Sequence, residues 1–122
     1  MSEAPRTVVF AAEAFNDLVL ITEYLTQAYC GFGEPLAEAH SHAQVRIEAI
    51  ITAAERLATA SLRGESHDDL LPGLRRLALD RAAYWFRARA EQREIQVLAV
   101  FFGGQNHQRH MLVRLLQNSS QV

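Results

Sequence analysis

Lysine is missing from this 122-residue sequence: all twelve basic residues are arginine. Arginine offers a planar fork suited to bidentate contact with carboxylate or phosphate, although a GC-rich genome produces the same bias without any function. Cysteine occurs once, as Cys30. That excludes an internal disulfide, fits a reducing cytoplasm, and leaves a small residue near a helix end. No apolar run approaches the roughly 20 residues a membrane-spanning helix needs, and the opening MSEAPRT lacks the apolar stretch of a secretory signal. Neither a membrane nor secretion is expected. Also lacking are internal repeats, a phosphate-cradling glycine loop, and a nucleophile elbow around Ser41, Ser61 or Ser66. His40, His42, His67, His107 and His110 have no metal-ligand spacing, so no metal and no cofactor are expected.

What is present is one domain's worth of chain, 1–122, with 49% apolar residues and a formal net charge of -2. That near-neutral sum hides an asymmetry. Residues 1–69 carry 4 arginines against 11 acids, net -7, whereas residues 70–122 carry 8 against 3, net +5. The division follows the change in patterning along the chain.

Thr7–Ala11, β-branched and aromatic, reads as a short strand. Phe15, Leu18, Ile21 and Leu25, with Tyr24 beside them, make one apolar face of a helix that should end within Tyr29–Gly33. Pro35 suits the first turn of a second helix, whose inner face is Ala39, Ala43, Ile47, Ile50, Ala54 and Leu57. A short loop between them makes an αα-hairpin. Thr59–Gly73 is polar and turn-rich and reads as a loop, followed by strands over Leu74–Leu79, Ala82–Arg89 and Glu94–Phe102. Asp80-Arg81 and Ala90–Arg93 form the connections, Gly103-Gly104 stops the last strand, and Gln105–Gln117 reads as a short C-terminal helix with Met111, Leu112 and Leu115 inward. This order predicts an α+β fold: an N-terminal strand, an αα-hairpin, and a three-stranded antiparallel meander with helices on one face.

Alternation places Arg75, Leu77 and Leu79 on one side of their strand and Leu74, Arg76 and Ala78 on the other. In the next strand Tyr84 and Phe86 share a face, opposed by Trp85, Arg87 and Arg89. Such a stripe can meet phosphates and stack on bases or seat an acidic partner segment. A solvated face with arginine stems lying over an aromatic is the alternative. His107 and His110, three apart on the C-terminal helix, can share a face with Arg114 and act as general acid or base, or can be plain surface residues. Asp68-Asp69 reads as a solvated acidic turn.

Three segments in this order resemble the RelE/ParE superfamily of toxins from bacterial type II toxin–antitoxin (plasmid stabilisation) systems, over roughly Val8–Asn106. They are VVFAAEAFNDLVLITEYL, SLRGESHDDLLPGLRRLAL and YWFRARAEQREIQVLAVFFGGQN. Gly64, Leu74 and Arg75 stand at the matching positions of the middle signature. The resemblance implies a compact cytoplasmic toxin in a hetero-oligomer with a cognate antitoxin, which lays an acidic or amphipathic segment over it. It also implies one of two targets, DNA gyrase for the ParE branch or messenger RNA on the ribosome for the ribonuclease branch.

In the ribonuclease branch, sheet arginines and a C-terminal Tyr or His position the phosphate, activate the ribose 2′-hydroxyl and protonate the leaving oxygen. Arg75 matches the family arginine, and Arg76, Arg87 or Arg89 add charge stabilisation. The departures are specific. Ala99 stands where many members have arginine, Phe102 where they have histidine, and Gln105-Asn106 where they have Arg-Asp. Phe86 replaces a common tyrosine, with Tyr84 close by. The catalytic candidates are therefore Arg75, Arg87 and His107 or His110. The target- or antitoxin-binding candidates are Arg75, Arg76, Trp85, Arg87 and Arg89. A ParE-like inhibitor that acts by binding is the first expectation, a RelE-like ribonuclease the second, and a non-toxic binding domain that keeps only the fold the third.

Overall fold

Four residues with two β-branched valines form β1 (Thr7–Phe10), and the chain passes at once into α1 (Ala12–Gly31). The computed structural model describes residues 6–60, 63–103, 111 and 113–117. Helix α1 buries Ala14, Leu18, Ile21 and Leu25, the 3–4 spacing of an amphipathic helix. Phe15 and Tyr24, expected on the same face, are instead more than half exposed. At about 100° per residue, both lie outside the arc that the four buried positions span.

Gly33, at φ +100°, reverses the chain, and Pro35 precedes α2 (Leu36–Ala54). The Tyr29 ring stacks on His42 of α2 at 3.7 Å, and His42 Nδ1 lies 3.1 Å from Glu34 Oε2, so the αα-hairpin is clasped at its turn. Helix α2 buries Ala39, Ala43, Ile50 and Ala54. The amides of Glu55 and Arg56 then reach back only three residues, to Thr52 O and Ala53 O. That 3₁₀-type tightening ends α2 and leaves Leu57 to be buried from a separate short helix, α3 (Leu57–Ala60).

The remaining strands are β2 (Glu65–Ser66), β3 (Arg75–Leu79), β4 (Ala82–Arg89) and β5 (Glu94–Phe102), in the sheet order β1-β5-β4-β3-β2. The expected meander is β3–β4–β5. Two strands extend it. β1 joins β5 in parallel at one edge, and the helices carry the chain from β1 across to β2, which pairs antiparallel with β3 at the other edge, inside the stretch read as loop. Two polar residues carry no periodicity to mark a strand, so β2 is set by pairing alone. Asp80 and Arg81 take φ of +51° and +71°, as a tight hairpin turn requires, and Arg46 Nη2 donates to Asp80 O at 2.9 Å to hold it.

Two apolar clusters face opposite sides of this sheet. The larger packs Leu18, Ile21, Leu25, Ile50 and Leu57 against Tyr84, Phe86, Ile95, Val97 and Val100. The smaller holds Leu74, Trp85, Ala99 and Met111, with Leu70, Leu71, Leu98, Phe101 and Leu115 packed around them. A bulge sorts β5 between the two. Trp85 pairs with Ala99 but Phe86 with Val97, so Leu98 is the extra residue, and Leu98 and Ala99 both join the smaller cluster. Met111 and residues 113–117 are helical, within the expected C-terminal helix. Leu112, His107 and His110 lie outside the described residues.

Two outcomes test this packing. A Cβ at Gly64 would stand 3.1 Å from Arg76 O, 3.1 Å from Phe86 Cζ and 3.2 Å from Arg75 Cβ. Gly64→Ala should therefore lower stability by about 1–3 kcal/mol in urea unfolding. Tyr84 is buried and donates to Ile50 O at 2.6 Å. Burial first, and the charge of Asp80 second, push its phenol from 10.0 up to about 12. Folding stability tied to this group is intact below pH 10.0 and is lost as pH rises toward 12. Tyr84→Phe should flatten the fall in melting temperature across that window while costing about 1 kcal/mol at neutral pH.

Candidate interface on the second sheet face

Strand register brings the candidate residues into rows. Glu65 stands opposite Arg76, Arg76 opposite Trp85, and Trp85 opposite Ala99; directly opposed residues share a face of the sheet. Alternation along β4 adds Arg87 and Arg89, opposite Gln96 and Glu94 of β5. Arg87 Nε donates to Gln96 Oε1 at 3.2 Å, and Arg89 Nη1 lies 3.9 Å from Glu94 Oε2. Three of the four candidate sheet arginines thus lie on the face away from the helical hairpin. Arg75 does not: it pairs with Phe86, on the side of Leu77 and Tyr84, and its Nη1 donates to Gly64 O at 2.8 Å, clamping the approach to β2. Arg75 and Arg87 therefore lie on opposite faces.

The aromatic member of the expected stripe is inside. Trp85 is fully buried beneath Leu74 and Met111, so the indole offers no surface for stacking on a base. Tyr84, the neighbour considered for the missing tyrosine, faces the helices, where its hydroxyl is committed to Ile50.

A compact loop frames the row at its β2 end. The His67 amide donates to Leu74 O at 2.8 Å, and the amides of Leu70 and Leu71 return to His67 O. Asp68, read as a merely solvated acid, organises this loop. Its carboxylate accepts from the Gly73 amide and the Ser66 hydroxyl, each at 2.8 Å, and these bonds, the amide foremost, hold its pKa below the usual 3.8. The His67 ring lies 4.7 Å from Trp85, tilted by 47°. His67 Nε2 and Trp85 Nε1 are buried without a hydrogen-bond partner among the described residues. Nothing in the spacing of His67 marks this role; only the loop closure brings it over Trp85.

The other end is fixed by a buried ion pair that sequence reasoning missed. The signal available was an acid, Asp17, set inside the apolar face of a helix. Asp17 of α1 is 5% exposed. Its Oδ2 accepts from the Val100 amide and from Arg114 Nη1, both at 2.9 Å, and its Oδ1 accepts from Arg114 Nη2 at 2.6 Å. Arg114 Nη1 also donates to Leu98 O at 3.2 Å, and Glu13 lies 3.4 Å from its Nε. Bonding to Asp17 raises the guanidinium pKa further. Among the described residues, no three His, Cys, Asp or Glu side chains come together as metal ligands.

Arg114→Ala strands the Asp17 carboxylate beside one amide, and truncating such a pair typically costs about 3–5 kcal/mol. Because Met111 covers the only tryptophan, the same change should shift Trp85 emission to the red before global unfolding. Unchanged stability and emission would mean that the pair does not hold the C-terminal segment.

Neither a family model nor a curated protein matches this chain. Solved structures do. A chain of the toxin–antitoxin complex RelBE2 from Mycobacterium tuberculosis superposes with a TM-score of 0.58 at 20% identity, over 82% of this chain and 100% of that one. A chain of the chromosomal ParDE TA system from P. aeruginosa gives 0.60 at 19% identity, over 81% and 97%. At such identity the likeness is one of architecture: the chain has an α+β fold of the RelE/ParE type, an N-terminal strand and αα-hairpin joined to a mixed five-stranded sheet.

Proposed function

We propose that this chain is the toxin of a type II toxin–antitoxin module, neutralised in the cytoplasm by a cognate antitoxin. The architecture it shares with chains of two toxin–antitoxin structures carries this reading. Its surface supports it. Phe15, Val19, Leu20, Tyr24, Phe32 and Leu36, all on the helical hairpin, are each more than half exposed, an unusual apolar load that fits a covering segment. The excess of arginine in residues 70–122 fits an acidic stretch in the same partner.

Within this class, action by binding, as a growth inhibitor of the gyrase-directed kind, suits the site better than ribonucleolysis. Phosphodiester cleavage needs a base, an acid and charge stabilisers gathered around one phosphate. Here Arg75 is turned to the helix side, Tyr84 is committed to Ile50, and Trp85 closes the middle of the opposite face. The ribonuclease reading requires His107 or His110 to complete a set with Arg76 and Arg87. A domain that keeps the fold without toxicity is the remaining alternative.

Induced expression of the chain alone in a bacterial host separates these readings. Growth arrest with altered plasmid supercoiling and intact transcripts is the expected result. Arrest with cleaved transcripts would establish the ribonuclease instead, and normal growth with soluble protein accumulating would refute toxicity.

A further inference from the structure

Trp85 Nε1 can only donate, and it is buried with no acceptor among the described residues. His67 Nε2, beside it, has no hydrogen bond there either. Leaving such groups unsatisfied is costly, and proteins retain them where something else completes the site. The charge around this niche indicates what that is. Arg76 is the cross-strand partner of Trp85, and Arg87 follows two residues along on the same face, so the face that carries the indole is positively charged, which favours an anionic acceptor.

One carboxylate of the chain already approaches this niche. Glu65 stands at the sheet edge with its side chain 67% exposed, yet its Oε1 reaches 3.4 Å from the His67 Nε2, on a ring only 8% exposed. The approach lacks the alignment of a hydrogen bond. The β2 edge thus brings a carboxylate to His67, but the one that the chain itself supplies is badly placed to bond there.

We propose that the niche formed by His67, Trp85, Arg76 and Glu65 is a seat for one carboxylate, delivered by an acidic side chain of the antitoxin segment, with Glu65 as the occupant it displaces. The incoming oxygen accepts from Trp85 Nε1–H and His67 Nε2–H, and Arg76 balances its charge while Glu65 swings into solvent. This rests on the antitoxin reading for the source of the acid; the seat itself rests on the two unsatisfied groups and the approach of exposed Glu65 to one of them.

Short poly-L-glutamate, titrated into the full chain while Trp85 emission is followed, tests it. A saturable red shift is expected as the indole N–H gains an acceptor. Glu65→Gln removes the internal competitor and should tighten binding at least about threefold, and Arg76→Ala should weaken it by a similar factor. Glu91→Gln removes an equal charge at an exposed position far along the chain and should change affinity less than about 1.5-fold. Equal gains from Glu65→Gln and Glu91→Gln, or no gain from either, would overturn the seat. Inorganic phosphate or an oligonucleotide binding more tightly than poly-glutamate, with the same gain in Glu65→Gln, would overturn the carboxylate assignment. Normal growth in the expression experiment, together with the Glu65→Gln gain here, would remove the toxin reading and leave the seat standing. Growth arrest without that gain would remove the seat alone.

Discussion

A carboxylate withdrawn from water must be matched by donors of comparable strength or it destabilises the fold around it. Asp17 is such a group. Its position follows from the sheet edge: β1 ends at Phe10, opposite Val97, while β5 runs on to Phe102. The amide of Ala11 bonds to Val97 O, and beyond that point no strand among the described residues continues the edge. Asp17 takes the Val100 amide, Arg114 supplies a donor for Leu98 O, and the two side chains neutralise each other. An open strand edge is thereby closed with side chains in place of backbone. The same pair anchors the C-terminal helical segment, and Met111 on that segment completes the smaller core over Trp85. The bulge at Leu98 belongs to this arrangement, because it turns Leu98 and Ala99 together toward the smaller core.

The closure also sorts the charge on the sheet. The sheet has two apolar sides, one under the helical hairpin and one under the C-terminal segment, so its arginines are restricted to the margins. Arg87 and Arg89 lie along β4 beside polar partners on β5, Arg76 lies near the β2 edge, and Arg75 is turned inward onto Gly64. Under the proposed reading, positive charge distributed in this way suits an extended acidic segment better than a single reacting phosphate. Gly64 belongs to the same logic. It admits the Arg75 stem, the Phe86 ring and the β3 backbone so closely that an added Cβ would have to push its neighbours aside, which gives a physical reason for Gly64, Leu74 and Arg75 standing together: close approach, a fully buried Leu74, and a clamp.

Elements with their own periodicity are legible in the amino-acid order. Leu18, Ile21 and Leu25 mark α1, Ala39, Ala43 and Ile50 mark α2, and Ala82–Arg89 and Glu94–Phe102 are strands at the bounds read from alternation and turns. β2 is not legible, since two residues have no period. Nor is the phase change at Leu98, where strict alternation would keep Ala99 apart from its neighbour. Of the candidate residues, Arg76, Arg87 and Arg89 fall on one face as alternation predicts, Arg75 falls on the other, and Trp85 proves to be interior.

The amino-acid order by itself determined the types of the elements that have their own period, the charge division between the halves, and the side of its strand each arginine occupies, because these follow from composition and from local spacing at 3.6 or 2 residues. Tertiary structure alone decided that Trp85 is covered, that His67 lies over it, and that Asp17 and Arg114, 97 residues apart, hold the two ends together. Burial and ion pairing across such separations depend on which surfaces meet when the chain closes, and no short stretch of sequence contains that information.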